Sequence, residues 1–136
     1  MVSFVLDTSV TMAWCFEDET TEATERLLDR LMTEGGMVPA IWSLEVANAL
    51  LSAERRRRLT QEHARRFAHR LQELPITVDP GSMAWAFGAV LLLGREHGLT
   101  SYDAAYLELA LRHGLPLATQ DERLRVAAGR VGVPLL

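Results

Sequence analysis

A short run of strand-forming residues near the start of the chain most constrains its fold. Phe4, Val5 and Leu6 follow one another without polar alternation, and the run ends abruptly at Asp7. A strand that is apolar on both faces is typical of the centre of a parallel sheet covered by helices. In such sheets the ligand crevice lies beyond the carboxyl ends of the strands, where Asp7 would stand. Asp7 is equally well explained as the N-cap of the next helix.

The rest of the chain alternates short strands with helices. Strand-like segments recur at residues 37–39, 75–78, 115–118 and 133–136. Helical periodicity fills the intervals between them. This alternation predicts one α/β domain over residues 1–136, with a short parallel sheet of about five strands covered by helices on both faces. Pro134 favours an edge position for the last strand.

Composition excludes several classes of protein. The chain of 136 residues has one cysteine, Cys15, so an oxidised secreted framework is not expected. The formal net charge of −4 argues against an overall basic coat for nucleic acid. All 14 basic residues are arginines, which excludes lysine-dependent mechanisms. Because no signal-like segment precedes the first strand, we expect a cytoplasmic protein.

The most apolar stretch of the chain extends from Met83 to Leu93. It is bounded by Pro80-Gly81 and Gly94-Arg95. A bilayer-spanning helix needs about 20 apolar residues, so this stretch is too short to cross a membrane. It predicts a helix buried in the core, and no membrane partner.

Four carboxylates lie where a single pocket of such a fold could collect them. Asp7 ends the first strand, Asp121 follows the fourth, Asp103 lies in a first helical turn, and Glu45 lies among apolar residues. Each has a simpler explanation: a dipole partner for Asp103, turn chemistry for Asp121, and a solvent-edge position for Glu45. The simpler explanations are less convincing for all four acids together. Carboxylates that cluster without basic partners raise one another's pKa, which destabilises the fold unless a ligand compensates the charge. Oxygen-rich sites of this kind suit Mg²⁺ or Mn²⁺.

Four sequence blocks follow one another along essentially the whole chain. They are Val-Leu-Asp-Thr-Ser, Leu-Glu-Val-Ala-Asn-Ala-Leu, Thr-Ser-Tyr-Asp-Ala-Ala-Tyr-Leu-Glu-Leu-Ala and Leu-Ala-Thr-Gln-Asp. In order and spacing they resemble the PIN-domain ribonucleases, and most closely the VapC-type toxins of bacterial toxin–antitoxin pairs. The resemblance implies a PIN-like fold and a metal-dependent endoribonuclease that hydrolyses RNA phosphodiester bonds with Mg²⁺ or Mn²⁺.

The resemblance also assigns roles to the matching positions. The family's acidic quartet, which implies catalysis and metal binding, is matched by Asp7, Glu45, Asp103 and Asp121. Its supporting polar positions are matched by Thr8, Ser9, Asn48 and Thr119. The chain departs from the family at Arg55, Arg56, Arg57 and Arg58, where members often have a glycine before the turn. This arginine run is explained either as a solvated helix end or as a contact for RNA phosphates.

Partners follow from the same resemblance. It implies RNA as substrate, a homodimer, and a cognate antitoxin that silences the toxin by laying a helix across an apolar groove. The alternative is a non-catalytic PIN-like domain that binds RNA or protein. A phospho-accepting receiver domain is excluded because it uses a lysine at a late strand end, and this chain has none. A Rossmann module would need a glycine-rich first turn, which is absent between Asp7 and Trp14.

Overall fold

The computed structural model describes residues 2–136 and is built on a four-stranded parallel sheet flanked by helices. The strands are β1 (Val5–Leu6), β2 (Gly36–Pro39), β3 (Ile76–Asp79) and β4 (Leu117–Ala118). Their order in the sheet is β3-β2-β1-β4, and every pair is parallel. Beyond β4, Leu135 forms a single parallel bridge to Leu117 in place of the predicted fifth strand. The α/β prediction is confirmed.

Helices fill the intervals between the strands. They are α1 (Thr8–Ala13), α2 (Glu22–Glu34), α3 (Trp42–Arg55), α4 (Gln61–Glu73), α5 (Met83–Trp85), α6 (Leu91–His97), α7 (Ser101–His113) and α8 (Glu122–Val131). A π-helical segment, Ala86–Val90, joins α5 to α6, and a 3₁₀ turn occupies Glu17–Glu19. The hydroxyls of Thr21, Thr60 and Thr100 cap α2, α4 and α7, as threonine commonly does.

The core is centred on β1 and the helix α7 that packs across the sheet. Phe4, Val5 and Leu6 are fully buried, which confirms the prediction of a central strand without a polar face. Tyr106 and Leu107 of α7 are also fully buried. Because β1 lies between β2 and β4, the residue that follows it, Asp7, emerges in the middle of the carboxyl edge of the sheet.

The prediction of a buried helix over 83–93 is wrong for most of its length. Met83, Phe87 and Leu92 expose 77%, 73% and 53% of their surface, and only Val90 and Leu93 of this stretch are buried. The π-helical segment and α6 pack against α7, and the exposed side chains point away from the core. Within residues 2–136 no helix combines the length and apolarity that crossing a bilayer demands.

Candidate active site

The carboxyl ends of β1 and β4 bring Asp7 and Asp121 to the same edge of the sheet. The two strands are neighbours, and the amide of Asp7 donates a hydrogen bond of 3.0 Å to the carbonyl of Ala118. Asp121 lies three positions beyond that carbonyl, at the start of α8. Parallel pairing thus joins two acids from opposite ends of the sequence, which is how such sheets build ligand crevices.

Asp7 is buried and is held by two hydroxyl groups. Oγ of Ser9 and Oγ1 of Thr119 donate hydrogen bonds of 2.7 Å and 2.6 Å to the same oxygen, Oδ2. Burial raises the pKa of Asp7, and the hydrogen bonds from Thr119 and Ser9 partly oppose that rise. The hydroxyls therefore favour the ionised form of a carboxyl group that is only 5% exposed.

The segment that carries Asp121 is fixed by the same hydroxyls. Oγ1 of Thr119 accepts a hydrogen bond of 3.0 Å from the amide of Asp121, and Oγ of Ser9 accepts one of 2.9 Å from Gln120. Oδ1 of Asp121 also accepts from the amide of Leu124 at 2.9 Å and so caps α8. One oxygen of Asp121 is therefore used by the helix.

Glu45 projects from the first turn of α3 and is held by a second pair of hydroxyls. The phenol of Tyr106 donates a hydrogen bond of 2.6 Å to Oε1 of Glu45, and Oγ1 of Thr8 lies 3.2 Å from the same oxygen. The two hydroxyl oxygens lie 2.8 Å from one another. Glu45 is half-buried. Its position is thus determined by α1 and α7 as well as by its own helix.

Asp103 lies in the first turn of α7 and shares its surroundings with the other three acids. Burial, together with the charges of Asp121, Asp7 and Glu45, raises the pKa of Asp103 to about 6. Each of these three carboxylates therefore lies within electrostatic range of Asp103. Repulsion of this kind is what a bound cation would relieve.

The chemistry of these side chains fits a hard divalent cation. The donors to Asp7, Glu45 and Asp121 are neutral hydroxyl and amide groups, so the negative charges remain uncompensated. Carboxylate oxygens are the ligands that Mg²⁺ and Mn²⁺ prefer. In the described part of the chain no three such groups are drawn together into a finished ligand set.

Known proteins resemble this chain in sequence over most of its length. The family model described as the PIN domain matches residues 4–130. This chain belongs to the PIN-domain family. Ribonuclease VapC3 of Pyrobaculum aerophilum is 31% identical over 123 residues, which make up 90% of this chain and 92% of that protein. The predicted resemblance is confirmed.

Solved structures share the fold of this PIN domain. PAE2754 from Pyrobaculum aerophilum has a TM-score of 0.72 at 25% identity, with 93% of this chain and 86% of that chain covered. FitAcB from Neisseria gonorrhoeae has a TM-score of 0.68 at 20% identity and covers 98% and 96%. A toxin–antitoxin complex from Klebsiella pneumoniae has a TM-score of 0.61 at 18% identity and covers 88% and 87%.

Two groups of predicted residues in this PIN domain make no hydrogen bond to the four acids within residues 2–136. Asn48 is exposed one turn after Glu45, whose Oε1 is instead bound by Thr8 and Tyr106. Arg55–Arg57 are exposed at the far end of α3, about 15 Å along the helix axis from Glu45. Arg58 is paired with Asp18 and Glu19 at 3.1 Å and 3.2 Å, and its guanidinium lies 4.2 Å from the ring centre of Phe16.

Two residues of the site were not predicted from the sequence. Tyr106 supplies the shortest contact to Glu45. Arg125, on the second turn of α8, donates a hydrogen bond of 2.9 Å to the carbonyl of Thr119 and thereby anchors the residue that binds Asp7. The spacing of Tyr106, three residues after Asp103 on one helix, is the sequence signal that would have placed it near the acids.

Proposed function

We propose that this PIN domain is a Mg²⁺- or Mn²⁺-dependent endoribonuclease of the VapC type, acting in the cytoplasm as the toxin of a toxin–antitoxin pair. The observation that carries the proposal is that the carboxylates of Asp7, Glu45 and Asp121 act electrostatically on Asp103, while their hydrogen-bond donors within residues 2–136 are neutral groups. The 31% identity to a protein named as a ribonuclease supports RNA as the substrate.

The carboxylates of Asp7, Glu45, Asp103 and Asp121 would hold the ion. When bound, the ion supplies Lewis-acid stabilisation of the charge that develops on the scissile phosphate. Ser9 and Thr119 favour the ionised form of Asp7 by donating to Oδ2. Thr119 also holds the backbone that carries Asp121, so that the two acids keep a fixed relation. In the hydrolysis a water oxygen forms a new bond to phosphorus, the bond to the leaving ribose oxygen breaks, and that oxygen takes up a proton.

Cleavage of RNA by the purified protein tests the proposal. We expect cleavage with Mg²⁺ or Mn²⁺ and none in excess chelator. Asp7→Asn should abolish cleavage and keep the fold, whereas Asp29→Asn, at an exposed position of α2, should leave cleavage unchanged. Full activity in chelator would refute the metal requirement. RNA binding without cleavage under all metal conditions would support the alternative of a non-catalytic binding domain.

An antitoxin partner follows from the same proposal. The fold is shared with a protein solved in a toxin–antitoxin complex from Klebsiella pneumoniae. We expect expression of this chain alone to arrest growth and degrade RNA. Co-expression with the adjacent short reading frame should restore growth and yield a stable complex. Normal growth with intact RNA in cells that express the folded chain alone would contradict the toxin assignment.

The exposed helix over 83–94 supports a homodimer. Twelve consecutive residues carry no charge or polar side chain, and Met83, Phe87 and Leu92 are more than half exposed. A free apolar or aromatic side chain presents about 150–250 Å², so this helix and Tyr102 leave roughly 500 Å² open. A standard interface takes about 800 Å² from each partner, of which this patch would supply the apolar centre. A second copy of the chain has an identical patch, and we therefore assign a second copy as the partner that covers it.

Sedimentation of the purified chain tests the homodimer. We expect the wild type to sediment as a dimer and Phe87→Glu as a folded monomer. Met32→Glu, which places the same charge at a 57% exposed position on α2, should remain dimeric. A monomeric wild type, or a Phe87→Glu variant that stays dimeric, would refute this assignment.

A further inference from the structure

One tyrosine hydroxyl is enclosed in the core beside the acidic site. Tyr106 is fully buried, and its hydroxyl lies 2.6 Å from Oε1 of Glu45 and 2.8 Å from Oγ1 of Thr8. The chain's other tyrosine, Tyr102, lies one turn earlier on α7 and is 56% exposed. A buried hydroxyl without a partner is destabilising, so the contacts of Tyr106 determine where its oxygen lies.

The direction of the hydrogen bond to Glu45 follows from counting protons. A phenol has one proton, an ionised carboxylate has none, and the 2.6 Å separation is typical of an O–H group donating to a charged oxygen. Burial raises the pKa of Tyr106, as does its hydrogen bond to Glu45, so the phenol keeps its proton. The hydroxyl of Thr8 is then left to donate to Oη of Tyr106 or to Oε1 of Glu45.

In both arrangements Tyr106 donates to the same oxygen of Glu45, Oε1. Thr8 either adds a second hydrogen bond to Oε1 or supports the phenol oxygen. Neither residue binds Oε2. Tyr106 also shares its helix with Asp103, three residues earlier. A single rigid helix therefore carries one acid of the site and the group that orients another acid, which belongs to α3.

We propose that Tyr106 is a positioning residue of the metal site, whose hydroxyl binds Oε1 of Glu45 so that Oε2 is the oxygen presented to the divalent cation. This inference rests on the proposed function, because it assumes that Glu45 binds the ion. Hydrogen-bond donors behind a ligating carboxylate commonly orient it, and their loss typically weakens metal affinity or activity by about 10–100-fold.

The experiment compares Tyr106→Phe with the matched control Tyr102→Phe, because each substitution removes one hydroxyl from α7 and keeps the ring. Binding of Mn²⁺ to the resting protein is measured by calorimetry, and RNA cleavage is measured in parallel as a function of Mn²⁺ concentration. We expect Tyr106→Phe to bind Mn²⁺ at least about tenfold more weakly and to need correspondingly more Mn²⁺ for half-maximal cleavage. Tyr102→Phe should match the wild type. In a Glu45→Gln background, Tyr106→Phe should cause no further loss of Mn²⁺ affinity.

The outcomes separate this inference from the proposed function. Wild-type Mn²⁺ affinity in Tyr106→Phe, or an equal loss with and without the Glu45 carboxylate, would overturn the positioning role while the nuclease proposal stands. A wild type that neither binds Mn²⁺ nor cleaves RNA would refute the proposed function itself. If Tyr106→Phe does not fold, Glu45→Asp decides, since it keeps the charge but withdraws the carboxylate from the phenol. We expect it to lose Mn²⁺ affinity similarly, and unchanged affinity would overturn the inference.

Discussion

Oγ1 of Thr119 donates a hydrogen bond of 2.6 Å to Oδ2 of Asp7, although the two residues are 112 positions apart in the sequence. The contact joins the carboxyl ends of β4 and β1, the two strands that carry acids of the site. It is also one of two hydroxyl contacts that oppose the effect of burial on the pKa of Asp7. The geometry of the sheet and the charge state of the site therefore depend on the same side chain.

Thr119→Val should weaken the site by removing that donor. Without it, burial raises the pKa of Asp7 further, so the acid limb of the pH–rate profile should move to higher pH. The loss of a hydrogen bond to a charged group should also cost about 1.5–3 kcal/mol of stability. Cleavage rates of Thr119→Val and Thr119→Ser across pH provide the measurement. The serine variant keeps the donor and should resemble the wild type, and equal profiles for the two variants would contradict this role.

Asp103 should make the metal-free protein less stable as the pH rises. Folding raises its pKa from about 3.9 in an unfolded chain to about 6. The folded state therefore binds more protons between these values, and the stability contributed by this group falls as the pH rises from about 4 to about 6. Urea unfolding in chelator at several pH values measures the effect. The stability of Asp103→Asn relative to wild type should increase over this interval, and a relative stability that decreases would contradict the prediction.

Arg112 should stabilise the fold without taking part in cleavage. Its guanidinium donates to Asp79 at 2.8 Å and to Glu108 at 2.6 Å, and it lies 3.5 Å from the ring centre of Trp85. These hydrogen bonds lower the pKa of Asp79 and connect the end of β3 to α7.

Arg112→Met would leave two acids with side chains only 11% and 9% exposed without their partner. We expect a loss of about 3–5 kcal/mol in the free energy of unfolding. Arg26→Met removes the partner of Glu22 at a solvated pair and should cost less than about 1 kcal/mol. The free energy of unfolding of both variants is measured by denaturant titration. Similar losses for the two would contradict the larger contribution expected of Arg112.

The sequence predicted the parts of the site that depend on the ends of strands. Phe4 to Leu6 predicted a central strand, and the position of Asp7 at its end follows directly from parallel-sheet topology. The simpler explanation of Asp121 is turn chemistry, and in the structure its Oδ1 instead caps α8. Capping of α8 and a role in the site are compatible at this residue, because the cap uses Oδ1 and leaves the second carboxylate oxygen.

The sequence could not reveal features that depend on contacts between distant segments. A tyrosine at an apolar position of α7 indicates burial, and its spacing from Asp103 places it near the acids. No sequence signal identifies Glu45, 61 positions away, as its hydrogen-bond partner. The apolar stretch from Met83 was assigned to the core because apolar composition indicates a buried surface. It does not distinguish burial in the core from burial against another protein. A second copy of the chain would satisfy that composition as well as a core does.

The most direct test of the account is whether Asp7, Glu45, Asp103 and Asp121 form one cation site. Thermal unfolding of wild type, Asp103→Asn and the control Asp29→Asn is measured at pH 7.5 in chelator and again with Mn²⁺. We expect Asp103→Asn to raise the metal-free melting temperature, because it relieves repulsion, and to lose most of the stabilisation that Mn²⁺ gives the wild type. Asp29→Asn should behave as wild type in both conditions. If Asp103→Asn lowers the metal-free melting temperature and Mn²⁺ shifts all three proteins equally, the four acids do not share a site.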